Sequence, residues 1–164
     1  MDEFFEQARE VGAALLAHQW QLATAESCTG GMVSAAVTEV AGSSAWFDRA
    51  FVTYSNEAKV GLLDVSPLTL HAHGAVSEQT VREMLAGALA HSVAHVAVAI
   101  SGIAGPAGGT PEKPVGTVCF GWQRRGLPPV CVTRHLEGDR GAVRRQSTRI
   151  ALAGVLELIG QSAS

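Results

Sequence analysis

The stretch from Gly42 to Lys59, GSSAWFDRAFVTYSNEAK, sets two serines, a phenol and an amine around one run of strand-forming residues. Ser43 and Ser44 follow Gly42 where a helix should give way to a turn. Phe47 to Thr53 reads as a strand with Tyr54 at its end, and Ser55 or Asn56 can cap a helical turn that carries Lys59. A serine hydroxyl is a poor nucleophile until a neighbouring base takes its proton, and no Ser/His/Asp arrangement is evident, so a lysine near a strand end is the natural base. The expected dyad is Ser44 with Lys59. Spacing alone does not establish it, because a serine after glycine commonly makes a turn and a lone lysine is commonly a solvated charge. Cys28, beside Ser27 in a polar loop, stands as an alternative nucleophile.

The elements that must position these groups can be read from periodicity and caps. Phe4, Phe5, Ala8, Val11, Leu15 and Leu16 predict a first helix over 2–18. A short strand over Trp20–Thr24 is followed by AESCTGG and a helix over Met32–Val40. Strand, glycine-containing loop and helix N-terminus in that order suggest an anion site at Thr29, Gly30 and Gly31, although capping by Thr29 explains the same residues. Ser66–Pro67 opens a short helix that His73–Gly74 ends, and Ser77 caps a longer one to about Ala94.

Val96–Ile100 reads as a strand buried on both faces, opening into SGIAGPAGG, a place where open α/β sheets bind ligands. Gly116–Trp122 and Val130–Leu136 should form an antiparallel hairpin, and Asp139 should cap a last helix over Arg140–Ile159. The order predicts an α/β fold, a three-layer α/β/α sandwich around a mixed, mostly parallel sheet of about five strands with one antiparallel strand.

The 164 residues suit one domain, over 1–164, and are too few for two ordinary ones. A hydrophobic content of 47% with 16% charged residues argues against disorder, and a net charge of −3 leaves no electrostatic footprint for nucleic acid. MDEFFEQARE has neither the basic start nor the apolar run of a secretory signal, and no later segment has the length to span a bilayer, so a soluble cytoplasmic protein is expected. Three cysteines without CxxC spacing predict neither a disulfide framework nor a thiolate metal site.

The blocks AESCTGG, AGSSAWF, VTYSNEAK, HGAVSE, SGIAGP, KPVGTV and GDR, in this order, make the chain resemble the CinA C-terminal domain family, in particular its stand-alone nicotinamide-nucleotide amidase branch. The resemblance covers about Ala23 to Leu156. It implies a metal-independent serine amidase that hydrolyses the carboxamide of nicotinamide mononucleotide, without cofactor, and it suggests a homodimer. It maps Ser44 onto the nucleophile and Lys59 onto the base. Ser27 and Tyr54 join them in the catalytic set, and Thr29, Gly30, Gly31, Ser101, Gly102, Gly105 and Arg140 form the expected substrate-binding set. Many relatives have threonine where Ser101 stands and an acidic residue where Ala107 stands; the second departure bears on how the ribose is held.

For Lys59 to act near neutral pH, burial or a nearby cation must bring its pKa well below the ordinary lysine value. Backbone N–H groups after Ser44, with the hydroxyls of Ser27 or Tyr54, are the oxyanion donors to be tested. The phosphate has two expected seats: the helix N-terminus near Thr29–Gly31, and Arg140 with the SGIAGP loop.

Overall fold

The computed structural model describes residues 2–162. After a 3-10 turn at Asp2–Phe4, the chain forms α1 (Phe5–His18), β1 (Leu22–Glu26), α2 (Met32–Thr38), a second 3-10 turn at Ser43–Ala45 and β2 (Phe47–Val52). It continues through α3 (Asn56–Leu63), α4 (Pro67–His73), α5 (Glu78–Ala90), β3 (Val96–Gly102), β4 (Thr117–Arg124), β5 (Val130–His135) and α6 (Arg140–Ser162). The five strands lie in the order β2-β1-β3-β4-β5. β1 pairs in parallel with β2 and with β3, whereas β4 runs antiparallel to both of its neighbours. This is the mixed, three-layer arrangement expected, with β4 as the reversed strand.

Each sheet face buries a separate apolar cluster. On one, Leu22, Val98, Ile100, Phe120 and Trp122 pack against α1, α2 and α6; on the other, Ala25, Ala97, Ala99 and Cys119 pack against α3, α4 and α5. The small residues on the second face let the helices approach closely. Gly87 of α5 takes this furthest, since an added Cβ would overlap the Leu63 carbonyl at the end of α3. The notch therefore sets how deeply the Lys59 helix sits.

Local chemistry explains most boundaries. Ser55, Ser66 and Ser77 each accept a backbone N–H of the helix they open, and the Asp139 carboxylate accepts from Ala142. The first strand begins two residues later than expected because Gln19 turns left-handed at φ 57° and the Trp20 N–H returns to Leu15, extending the close of α1. α5 ends at Ala90 rather than near Ala94; there Arg125 donates to the carbonyls of Leu89 in its last turn and of Ser92 and Ala94 beyond it.

Candidate active site

Three parallel strands finish at one edge of the sheet, and the segments that leave them converge there: Ser27–Cys28 after β1, Tyr54 to Lys59 after β2, and Ser101–Gly108 from the end of β3. With Ala75–Val76 and Arg140 they line a cleft of about 280 Å³. Lys59 and Arg140 are its cations, and its lining contains no Asp or Glu. A larger groove of about 460 Å³ between β5 and α6, walled by Trp122, Val130, Val132 and Ile150, presents neither serine nor lysine. Of these two, the smaller cleft is the one equipped for acyl chemistry.

At its floor, Lys59 Nζ stands 2.9 Å from Ser27 Oγ and 2.9 Å from the Thr53 carbonyl, with the Tyr54 carbonyl at 3.3 Å. Lys59 is only 1% exposed and Ser27 7%. Removal from water lowers the lysine pKa, with the neighbouring Cys28 thiol acting the other way. A buried, hydroxyl-paired amine biased toward neutrality is what general-base activation of a serine requires.

Ser44 does not meet Lys59. It lies exposed in the turn Ser43–Ala45 that enters β2, whereas Lys59 lies beyond the exit of that strand. At about 3.3 Å per residue, the six residues of β2 span ~20 Å and separate the turn that enters the strand from the segment that leaves it. The GSSAWF segment has another use: Trp46 is buried, its carbonyl accepts the Leu22 N–H, and its indole fills the space left by Gly12 of α1. Ser27 takes the place expected for Ser44. Cys28 shares the cleft, but burial pushes its thiol up to about 11, which leaves little thiolate at neutral pH.

The expected anion seat at the start of α2 is already filled. The Glu26 carboxylate accepts from Thr29 Oγ1 and from the backbone N–H groups of Gly31, Val33 and Ser34, with Thr24 Oγ1 as a further donor. Thr29 and Gly31 therefore donate to a protein carboxylate, the Gly30 N–H turns back to the Ser27 carbonyl, and none of the three lines the cleft; a phosphate at the start of α2 would meet like charge. Glu26 escaped the sequence reading, although an acid closing an otherwise apolar strand was a visible signal.

Ser101, Gly102 and Gly105 do line the cleft. Ser101 is 1% exposed, and Gly102 has no room for a side chain because Val118 lies against it. Gly105 adopts φ +83° and offers its carbonyl to Arg140 at 2.8 Å. The second Arg140 nitrogen donates to the Tyr54 hydroxyl at 3.1 Å, so arginine and tyrosine flank the mouth together. Asn56, Val76 and Ala107 also reach the cleft; the first two are not among the site residues expected from the sequence.

The fold and this cleft define an α/β protein with a buried serine–lysine pair at the carboxyl edge of its parallel strands. The chain belongs to the CinA C-terminal domain family, whose profile matches residues 5–159. It is 54% identical over 147 residues to the nicotinamide-nucleotide amidohydrolase PncC of Enterobacter agglomerans, covering 90% of each chain. Against the protein of the same name from Escherichia coli K12 the identity is 53% over 150 residues, covering 92% of this chain and 91% of that one. Among solved structures, the competence/damage inducible protein CihA of Agrobacterium tumefaciens superposes with a TM-score of 0.91 at 44% identity, covering 94% of both chains.

Proposed function

We infer that this chain is a nicotinamide-nucleotide amidohydrolase, converting nicotinamide mononucleotide and water into nicotinate mononucleotide and ammonia. The observation that carries the reading is the 2.9 Å contact between Ser27 Oγ and Lys59 Nζ inside a cleft lined by no carboxylate, in a chain about half identical to amidohydrolases of that name. When Lys59 is neutral, its two N–H bonds serve the carbonyls of Thr53 and Tyr54, and its lone pair receives the Ser27 hydroxyl proton.

Ser27 Oγ then attacks the carboxamide carbon while its proton passes to Lys59. The lysine returns that proton to the departing amide nitrogen, releasing ammonia and leaving a nicotinoyl ester on Ser27. Water attacks the ester, giving one proton to Lys59, and the amine passes it to Ser27 Oγ as the acid departs. The N–H of Cys28 and the hydroxyl of Ser101, two residues that line the cleft, are the donors assigned to the oxyanion. Arg140 is assigned to the phosphate, exchanging its contacts with Gly105 and Tyr54 for phosphate oxygens. Binding energy from that distant group then helps to orient the amide.

This reading takes the enzyme to be a cytoplasmic homodimer, and light scattering tests the dimer. Among the described residues no helix is long and apolar enough to cross a membrane. The deciding experiment is ammonia release from nicotinamide mononucleotide beside free nicotinamide, in the presence of a chelator. Turnover of the nucleotide with a much higher kcat/KM than the free base is expected. Equal values for the two, or activity abolished by the chelator and restored by a metal, would overturn the reading.

A further inference from the structure

Glu26 is a fully buried carboxylate that the reaction sequence does not use, and among the described residues no cation lies within ion-pair distance of it. Five donors hold it instead. Oε1 receives the Thr29 hydroxyl at 2.8 Å and the N–H groups of Val33 at 3.0 Å and Gly31 at 3.2 Å; Oε2 receives the Ser34 N–H at 3.0 Å and the Thr24 hydroxyl at 3.2 Å. A buried charge is tolerated only when hydrogen-bonded in this way, and the donors are in turn held where the carboxylate needs them. They run from β1 to the first turn of α2 and enclose the turn that carries Ser27.

The backbone on either side of Ser27 is fixed as well. The Thr53 N–H donates to the Glu26 carbonyl and the Ser27 N–H to the Ile100 carbonyl, tying the end of β1 to both neighbouring strands. From outside, Arg144 of α6 donates to the carbonyls of Cys28 and Thr29. Ser27 thus sits between a strand end anchored in the sheet and a Thr29 clamped from within by Glu26.

We propose that Glu26 is a positioning residue for the amidase reaction: its carboxylate folds the β1–α2 turn around itself, and this holds Ser27 Oγ at hydrogen-bonding distance from Lys59. The same carboxylate occupies the start of α2 and so directs the substrate's phosphate to the Arg140 side of the cleft. This inference rests on the assignment of Ser27 as nucleophile.

Glu26→Gln keeps the shape and one acceptor oxygen but sets an NH₂ group against the Ser34 N–H or its counterparts on the other oxygen. Small displacements of a reacting group cost rate steeply, so kcat for nicotinamide mononucleotide should fall ~30-fold or more. Affinity for nicotinate mononucleotide, measured by calorimetry, should stay within about threefold, because the Arg140 side of the cleft is untouched. A variant with kcat within about twofold of wild type overturns the proposal. So does a parallel loss of kcat and product affinity, which would mean that the whole cleft had collapsed.

If Glu26→Gln does not fold, Thr29→Val removes a single donor and keeps the charge. A fall in kcat of about fivefold or more at unchanged product affinity is then expected, and an unchanged kcat overturns the proposal. Ser27→Ala separates the two readings: full activity in that variant removes the nucleophile assignment, whereas an inactive Ser27→Ala with a normal Glu26→Gln removes only the positioning role.

Discussion

The two ends of the parallel strands each present a serine, and their surroundings differ in the respect that matters for catalysis. At the entrance to β2, Ser44 is exposed in a 3-10 turn whose neighbour Trp46 anchors the segment to α1. At the exit from β1, Ser27 is buried against an amine that has been taken out of water. Both serines sit in glycine-containing turns of similar composition. The difference comes from the direction of the strands: three carboxyl ends meet at one edge, where three loops can share a cleft. A hydroxyl becomes a nucleophile through its neighbours, and only one edge supplies them.

Mutation can break this comparison directly. Ser27→Ala should lower turnover of nicotinamide mononucleotide by ~10³-fold or more while Ser44→Ala stays within about twofold, since only the first removes the hydroxyl beside Lys59, the nucleophile of the proposed mechanism. Steady-state ammonia release measures both. The opposite pattern would return the nucleophile to Ser44.

Lys59→Arg sharpens the same comparison by separating charge from proton transfer, because arginine stays protonated in proteins. Turnover should fall by ~10²-fold or more. The pH profile gives an independent sign. Burial lowers the lysine pKa, so the neutral, active form gains population at a lower pH than for an exposed lysine, and wild-type kcat/KM should rise with pH along a limb below the ordinary lysine range. In Lys59→Arg that limb should be absent from any residual activity; its persistence would assign it to another group.

Arg140→Ala tests the mouth of the cleft against its floor. Loss of a charge-assisted contact of about 1.5–3 kcal/mol should weaken the nucleotide's kcat/KM ~10-fold or more, mainly through KM, with little change for free nicotinamide. An equal loss for both substrates would place Arg140 in the chemistry and not at the phosphate. A small effect is expected at Cys28→Ala, within a few-fold in kcat, since the buried thiol with a pKa of about 11 has little thiolate to offer. A large loss there would reopen it as nucleophile.

The floor of the site also depends on packing that lies outside it. Gly87→Ala would drive a methyl group into the Leu63 carbonyl and lift α3 from α5. A destabilisation of roughly 1–3 kcal/mol is expected by thermal or denaturant unfolding. Because Lys59 rides on α3, turnover should drop with it; full stability in this variant would show that α3 can shift without cost.

The sequence by itself determined the elements and much of their punctuation. Serine caps at 55, 66 and 77 and the Asp139 cap are local signals, settled within three or four residues, and each opens the helix expected of it. Apolar runs marked β3 as a buried strand whose glycine-rich exit lines the cleft, and the block order carried the family. Lys59 was legible as the amine for the same reason, since its helix is defined by its own cap.

Tertiary structure alone decided which serine meets that amine. Ser27 and Lys59 are 32 positions apart, and they touch because β1 and β2 pair in parallel and end at the same edge. Along the chain Ser44 is closer to Lys59, yet an extended strand holds nearby positions far apart, whereas parallel pairing brings distant ones together. The start of α2 teaches the same lesson. Its loop has the composition of an anion site, and the anion it holds is Glu26, which only burial and five convergent donors reveal.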